Sequence, residues 1–308
     1  MTMSDMAEMP VQLPEHPTSG TEARGRYFNS GNAFNIKLPE VPCALFTEEA
    51  ARALARTETA LYPCDISATL DCPFPATTPL LLARYASVLA GAQLTVDFVA
   101  TASIWYVIDG AGTVTCGGEE IRFGKGDVFL LPGLAAAVIG AEAAAVFWCV
   151  GNDPQLAFEA SAPIPGARDG VAFVHFPAGE IAHQLDKVYA QEANDSTSGH
   201  ALIFSAAQSE KSRNITPTMT LSLNTLKPHS FQPPHRHNSV ALTLVIAGDP
   251  AHTEIDDVPW AWAPWATLLT PPTAKHSHHN NGDSRAEFLI VQDGGFYYHA
   301  RTMGFQFL

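Results

Sequence analysis

Short β-prone runs separated by glycine-containing turns recur in two blocks of this 308-residue chain, at about 92–150 and 200–308. In the first block, apolar runs predict strands at 94–99, 103–108, 113–116 and 128–131. A tight turn is predicted over 109–112, because its two glycines separate neighbouring runs. Many short strands at regular intervals are typical of a small barrel or sandwich. The similar rhythm of the two blocks indicates a duplicated unit.

Helical patterns lie outside the clearest β segments. We expect a helix over 46–60, where Thr47 can cap the first turn, and another at about 178–192, where apolar residues recur at helical spacing. The aromatic run 296–298 is predicted to form a final strand. The predicted fold is therefore all-β with a few helices. Its predicted parts are an N-terminal leader and helical arm (1–75), a first barrel (76–155), a linker with a helix (156–199) and a second barrel (200–308).

Two histidine pairs stand out in the second block. His235 and His237 follow a Pro-Pro dipeptide, and His276 and His278 follow a second proline pair. Residues two apart on a strand project to the same face, so the members of each pair are expected to point together. A lone histidine is usually a surface or satisfied core residue, but neutral imidazole is also the commonest metal ligand. Two facing strands could therefore supply three imidazole nitrogens to one metal ion.

Composition narrows the classes of partner. The net charge of −14 argues against binding to nucleic acid or to an anionic membrane surface. The five cysteines have irregular spacings and no Cys-x-x-Cys motif. Their simplest interpretation is as reduced thiols of a cytoplasmic protein. The first twenty residues lack the pattern of a signal peptide, and no apolar run is long enough to span a bilayer. We therefore expect a cytoplasmic protein that binds a small molecule.

The run YVIDGAGTVTCGGEEIRFGKGDVFLLPG (106–133) resembles the core of a cupin, a jelly-roll barrel also described as a double-stranded β-helix. Cupins usually carry His-x-His, a glutamate and a later histidine on a metal. The corresponding segments here, 99–103 and 134–137, contain none of these residues. The resemblance therefore implies that the first cupin carries no metal.

The second block resembles the metal-bearing cupin of the gentisate 1,2-dioxygenase family, which includes salicylate and 1-hydroxy-2-naphthoate dioxygenases. The match rests on 216–218, on PPHRHNSVALTLVIAG (233–248) and on TPPTAKHSHHN (270–280). It implies a bicupin in which His235, His237 and His276 bind Fe(II). It also implies ring cleavage of a hydroxylated aromatic acid with O2, in a homo-oligomer, either a dimer or a tetramer. Three neutral histidines leave positions on the ion for substrate and dioxygen.

Four further residues are candidates for the same site. His278 shares the strand face of His276 and is a candidate catalytic acid or base. Gln232, just before the first histidine pair, and Thr243, where the family carries an arginine, are candidate substrate-binding residues. Trp262 could form an aromatic wall against a planar substrate, although packing is the commoner role of such a residue.

Departures from the family pattern leave the substrate open. Lys275 and Ser277 stand where the family carries Trp and Asp, and Thr243 removes a partner for a substrate carboxylate. Histidine also accepts zinc, nickel, copper and manganese, so the metal is open too. The alternatives are another three-histidine cupin enzyme, such as a β-diketone or thiol dioxygenase or an isomerase, and a metal-dependent binding protein without catalytic activity. A structural bicupin with a vestigial site is a further alternative.

Overall fold

Antiparallel strands dominate the computed structural model, which describes residues 5–133, 135–164, 170–192 and 199–308. The chain divides into two compact units, Met1–Glu40 and Val41–Leu308. The first unit contains a 3-10 helix at Met6–Glu8, the short helix α1 (Gly20–Ala23) and an isolated bridge between Gln12 and Tyr27. Among the helices of the described residues, none has the length and apolar character needed to cross a bilayer.

Within the described residues, the second unit holds the remaining helices and all of the strands. The helices are α2 (Glu48–Ala55), α3 (Ser67–Leu70), α4 (Asp153–Glu159), α5 (Ala178–Tyr189) and α6 (Gly294–Ala300), with a 3-10 helix at Ala207–Ser209. The first nine strands are β1 (Ala44–Phe46), β2 (Ala60–Pro63), β3 (Leu82–Val88), β4 (Gln93–Val96), β5 (Ala102–Cys116), β6 (Glu119–Phe123), β7 (Val128–Pro132), β8 (Ala137–Gly151) and β9 (Val174–Phe176). The others are β10 (His200–Phe204), β11 (Thr220–Leu226), β12 (Ser230–His237), β13 (Ala241–Ala247), β14 (Ala251–Ile255), β15 (Val258–Ala261), β16 (Thr267–Thr270), β17 (His276–Asn280), β18 (Ala286–Gln292) and β19 (Phe305–Phe307).

The first barrel is one sheet in the order β2-β3-β8-β5-β7-β9, with β4 added to β8 and β6 added to β5. The predicted turn over 109–112 is wrong, because these residues lie inside β5, which continues with shifts of register against β8. Glycine at position 112 allows the backbones of β5 and β8 to approach closely, because a Cβ added there would lie 2.0 Å from the backbone oxygen of Gly140. A glycine bulge bends a strand without ending it, and the sequence pattern of a bulge resembles that of a turn.

Aromatic rings fill the interior of the first barrel. The fully buried Trp105 stacks on Phe98 and Phe129, with ring centroids 6.4 and 5.8 Å away, and meets Phe147 edge-on at 5.8 Å. Phe123 contacts both Phe129 and Phe147. The cavity at one end of this barrel measures only about 10 Å³, the space of a single water at most. The inside of the first barrel is a packed hydrophobic core.

Two sheets form the second barrel. One has the order β1-β16-β13-β18-β11-β10, and the other has the order β15-β14-β17-β12-β19. Strand β1 comes from the segment predicted as an N-terminal arm, and it pairs with β16 at one edge of the six-stranded sheet. Strand β19, at the other end of the chain, pairs with β12 at one edge of the five-stranded sheet. The two-barrel, mostly β fold predicted from the sequence is confirmed.

The two faces of the six-stranded sheet have different partners. On β13, Leu242 and Leu244 belong to the hydrophobic core that the two barrels share. Ala241, on the opposite face, packs with Phe288 and Ile290 in a separate cluster inside the second barrel. Residues of β13 at odd positions therefore face the interior of the second barrel.

A chain of hydrogen bonds crosses the core between the barrels. The indole N–H of Trp148 donates to Thr267 Oγ1 at 2.9 Å, and Thr267 Oγ1 lies 2.7 Å from the hydroxyl of Tyr85. The Tyr85 hydroxyl donates in turn to the backbone oxygen of Trp265. Because that hydroxyl has a single proton, the Thr267 hydroxyl must donate to Tyr85 while accepting from Trp148.

Replacing Thr267 with valine is expected to lower the free energy of unfolding by about 1–3 kcal/mol, because it leaves the buried Trp148 N–H without an acceptor at nearly unchanged volume. Chemical denaturation measures the change. Thr115→Val, at an exposed position of β5, is the matched control and should change the free energy of unfolding by less than about 0.5 kcal/mol. Equal values for the two variants would contradict the assigned hydrogen bonds.

Two helical segments differ from the sequence predictions. Helix α2 ends at Ala55, short of the predicted residue 60, because Arg56 adopts a left-handed φ of 51° and β2 begins at Ala60.

The predicted strand at 296–298 is wrong, because these residues lie in α6. The N–H of Gly295 donates to the Thr218 oxygen at 3.1 Å, and the backbones approach so closely that only glycine fits. This contact outweighs the β preference of the aromatic residues. Helix α5 begins where predicted, at Ala178, and ends at Tyr189, three residues before the predicted end at about 192.

Candidate metal centre

Neighbouring strands β12 and β17 carry the two histidine pairs. They are antiparallel, with His235 opposite His276. The register shifts between Gln232 and His235, at the two prolines, which have no backbone N–H to donate. Strand alternation places His235 and His237 on one face and directs His276 to that same face.

The three predicted metal ligands come together inside the second barrel. The nearest ring nitrogens of His235, His237 and His276 all lie within 4.8 Å of one another. Each of the three residues is at most 5% exposed. The ring of His276 lies 4.3 Å from that of His235 and 4.7 Å from that of His237, measured between centroids. The residues lie close enough together for one ion to contact all three.

Backbone oxygens fix the orientation of the three rings. Each Nδ1 lies 2.8–2.9 Å from the carbonyl oxygen of a residue two positions away along the chain: Pro233 for His235, Ser239 for His237 and Ala274 for His276. A carbonyl oxygen only accepts, so the proton of each ring sits on Nδ1 and the lone pair sits on Nε2. Metal-binding histidines are held by outer partners of this kind.

Burial keeps the three rings neutral. Together with a smaller contribution from neighbouring histidines, burial lowers the pKa of His237 to about 4 and that of His276 to about 3. Burial also lowers the pKa of His235, against the opposing effect of its bond to Pro233. At pH 7 each ring therefore keeps an unprotonated nitrogen that can bind a cation, and the donor set fits a divalent transition metal.

Gln292 is a site residue that the sequence patterns did not indicate. Its amide nitrogen lies 3.1 Å from Nε2 of His237, as expected for a donor facing an unprotonated ring nitrogen. Its amide oxygen lies 3.5 Å from Thr220 Oγ1. Gln292 ends β18 and reaches the histidines from the opposite sheet, so no local motif links it to them. The only available signal was a polar residue at the end of an apolar strand.

His278 lies two residues after His276 on β17 and points to the same inner face of the barrel. Its Nδ1 is 2.9 Å from Thr253 Oγ1, and its ring centroid is 4.6 Å from that of Phe288. Burial lowers the pKa of His278 well below its usual value, with smaller contributions from the other histidines. The ring is therefore neutral at pH 7 and can exchange hydrogen bonds, but it holds no imidazolium proton to give away.

Polar atoms without partners line the same interior. Gln232 Oε1, Thr243 Oγ1 and Thr270 Oγ1 are buried and have no hydrogen-bond partner among the described residues. Gln232 stands opposite His278 on the neighbouring strand, and Thr243 occupies an inward position of β13. Buried polar groups are normally paired, so three unpaired ones near a histidine cluster indicate a place where a polar ligand binds.

Trp262 contacts this interior from the end of β15. Its indole N–H donates to Thr253 Oγ1 at 2.8 Å, and its ring meets that of Phe288 at 5.0 Å. Its centroid lies 6.2 Å from that of His278. The indole therefore supports the hydroxyl that holds His278, and its predicted contact with a substrate stays a prediction.

Family profiles match both barrels. The profile described as "Cupin domain" matches residues 222–292, and the one described as "AraC-like ligand binding domain" matches residues 97–199. No curated protein sequence matches the chain. The first profile covers the strands that hold all three predicted ligands, and the second covers most of the first barrel.

Solved structures resemble nearly the whole chain. Salicylate 1,2-dioxygenase from Pseudaminobacter salicylatoxidans has a TM-score of 0.73 at 11% identity, covering 89% of this chain and 91% of that one. A variant of that enzyme in complex with gentisate has a TM-score of 0.71 at 11% identity, covering 88% of each chain. A cupin 2 conserved barrel domain protein from Leptotrichia buccalis has a TM-score of 0.52 at 12% identity, covering 83% of this chain and 98% of that one. The chain therefore has the bicupin fold, with its histidine cluster in the second cupin.

Proposed function

We propose that this protein is an Fe(II)-dependent dioxygenase that cleaves the ring of a hydroxylated aromatic acid of the salicylate or gentisate kind. The observation that carries the proposal is the convergence of three ring nitrogens, one each from His235, His237 and His276, in a buried site. The likeness of the fold to a salicylate 1,2-dioxygenase, one variant of which was solved with gentisate, supports the choice of substrate class.

The histidines would hold the ion through three neutral donors. Their Nδ1 atoms are tied to backbone oxygens, so the rings need no reorientation to bind it. Because no carboxylate is among the three, the full double charge of the ion would remain to attract anionic substrate oxygens. Bound Fe(II) would supply the redox chemistry that activates dioxygen together with open positions for a chelating substrate.

The surrounding side chains would position the substrate by hydrogen bonding. Gln232, Thr243 and Thr270 offer the unpaired oxygens described above, and the Gln292 amide faces the open side of His237. His278 would act as a neutral hydrogen-bonding group at the far side of His276. The three histidines are at most 5% exposed, and the low local dielectric of such a buried site would strengthen each of these polar contacts.

A second candidate is a dioxygenase for a neutral chelating substrate, such as a β-diketone. The polar groups described around the histidines are amides, hydroxyls and neutral imidazoles, with Thr243 at the position where the family carries an arginine. A carboxylate bound there would depend on the metal alone for neutralisation, whereas a diketone needs only the two metal positions and hydrogen-bond donors. The choice between the two candidates rests on substrate charge.

Oxygen consumption separates the candidates. Untagged protein is purified anaerobically, loaded with Fe(II) and assayed with salicylate, gentisate, 1-hydroxy-2-naphthoate and acetylacetone. The leading proposal predicts oxygen uptake and a ring-opened product with at least one aromatic acid. Uptake with acetylacetone alone would favour the second candidate. Stoichiometric iron with no oxygen uptake on any of the four would contradict both dioxygenase proposals and favour a binding protein.

Replacing Gln292 with leucine is expected to lower kcat/KM by about 10–100-fold, because it removes a hydrogen-bond donor beside the proposed substrate positions, and such a bond to a charged group contributes about 1.5–3 kcal/mol. The amide donates to Nε2 of His237 and would give way to a bound ion without being one of its ligands, so the metal content should stay near that of the parent. Gln191→Leu, on an exposed residue, is the control. Unchanged kcat/KM for Gln292→Leu would remove Gln292 from the site.

Assembly and location stay predictions. The family resemblance predicts a homo-oligomer, either a dimer or a tetramer, and the cysteine pattern predicts a cytoplasmic protein. Sedimentation of the untagged protein measures its mass in solution: a multiple of 33.0 kDa supports the oligomer, and a monomer at micromolar concentration contradicts it.

A further inference from the structure

A second cluster of metal-binding side chains lies on the outer face of the five-stranded sheet. His252 and Glu254 are two positions apart on β14, and His279 lies on the adjacent strand β17. His252 and His279 are direct cross-strand partners. Because His276 and His278 point into the barrel, His279 points outward, and strand alternation puts all three side chains on that outer face.

The three potential ligand atoms lie close to one another. Nε2 of His252 lies 4.0 Å from one carboxylate oxygen of Glu254, and Nε2 of His279 lies 3.8 Å from the other. All three ligand atoms lie within 4.8 Å of one another. The carboxylate therefore already stands between two imidazole nitrogens, as a third ligand would.

Stacking holds the two rings in place. The rings of His252 and His279 are nearly parallel, with an interplanar angle of 8° and centroids 4.6 Å apart. The ring of Phe231, on β12, stacks on His279 at 5.7 Å and 14°. A ring that is fixed before binding loses less conformational entropy when it takes up a ligand.

The spacing suits a small divalent cation after a slight closure. Zinc binds nitrogen at 2.0–2.1 Å and carboxylate oxygen at 2.0–2.2 Å in tetrahedral geometry, which puts neighbouring ligand atoms about 3.3–3.5 Å apart. One carboxylate oxygen and the two imidazole nitrogens now lie within 4.8 Å of one another, so each separation would have to close by at most about 1.5 Å. Small side-chain rotations provide this, because Glu254 is 43% exposed at the surface. The hydroxyl of Ser277, now 2.8 Å from His279 Nε2, would turn away.

We propose that His252, Glu254 and His279 form a second, external site for a divalent cation, with zinc as the expected ion. Two imidazoles and one carboxylate are a ligand set that zinc accepts, and water would complete the tetrahedron. The ion would cross-link β14 to β17. Since β17 also carries His276 and His278 on its inner face, the external ion would stiffen the strand behind the interior histidines. The proposal does not depend on the chemistry proposed for the interior site.

Zinc stoichiometry tests the external site. Untagged protein is freed of metal with a chelator and titrated with zinc against a chromophoric zinc indicator. The parent is expected to bind two equivalents, one at each site. His252→Ala and Glu254→Gln should each weaken one of the two sites at least tenfold and leave the other unchanged. His276→Ala should remove the interior equivalent only, and His252→Ala/His276→Ala should bind neither tightly.

Thermal stability and anomalous scattering provide two further measurements of the external site. Zinc at saturating concentration should raise Tm in His276→Ala, in which only the external site remains, and this rise should disappear in the double variant. Anomalous scattering at the zinc edge should give a peak between the three external side chains. Zinc binding that stays the same in His252→Ala and Glu254→Gln as in the parent, or a Tm rise in His276→Ala that persists in the double variant, would overturn the proposal. Far-UV circular dichroism establishes that each variant is folded.

Discussion

Replacing His276 with alanine is expected to abolish iron binding at the interior site and to reduce oxygen uptake to background. His276 lies between the other two rings, with centroids 4.3 Å from His235 and 4.7 Å from His237. Its loss leaves two ligands on one strand and none on the other. A metal contribution of several kcal/mol to the barrier corresponds to about 10³-fold in rate, so the expected loss is at least of that order.

Two comparison variants make the His276 result specific. His276→Gln keeps a polar side chain of similar volume and should lose iron as completely, which separates ligand loss from a cavity effect. His183→Ala removes an exposed histidine of α5 and should keep both iron and activity. Iron content is measured by elemental analysis of the untagged proteins. Full iron content in His276→Ala would contradict the assignment of His276 as a ligand.

Replacing Trp105 with alanine is expected to lower the free energy of unfolding by about 3–5 kcal/mol, the usual cost of removing a large buried aromatic side chain. Trp105 is fully buried and contacts Phe98, Phe129 and Phe147. Because the rings fill the first cupin, neighbouring side chains cannot close the space without strain. Urea denaturation, followed by far-UV circular dichroism, measures the change.

The first cupin is expected to contribute stability and no metal ligand. Trp105→Ala should therefore keep the iron content of the parent at temperatures where it is folded. The control is Phe158→Ala in α4, whose side chain is 74% exposed and whose loss should change the free energy of unfolding by no more than about 0.5 kcal/mol. A Trp105→Ala protein with parental stability but reduced iron would contradict a purely structural role for the first cupin.

The architecture followed from sequence because it depends on patterns within single strands. Alternating apolar residues and glycine turns indicated two β blocks, and both exist. The patterns failed where a distant contact decides the local conformation. The glycines at 110 and 112 bend a continuous strand against β8, and Gly295 lies against Thr218 in the first turn of α6. Neither partner can be recognised from the sequence near the glycine.

The histidine cluster was similarly accessible, because its members lie two apart on strands that carry recognisable motifs. The spacing gave the face of each strand, and the resemblance gave the pairing of the strands. Gln292 was missed because β18 brings it in from the opposite sheet. The external cluster was missed because the register that sets His252 opposite His279 is fixed only in the folded sheet.

Crystals grown without oxygen and soaked with Fe(II) test the central claim most directly. Anomalous scattering at the iron edge is predicted to show a peak inside the second cupin, within coordination distance of Nε2 of His235, His237 and His276. The same peak should be absent in His276→Ala. An iron peak that is bonded to fewer than three of these nitrogens, or no interior peak in crystals of the parent protein, would contradict the account.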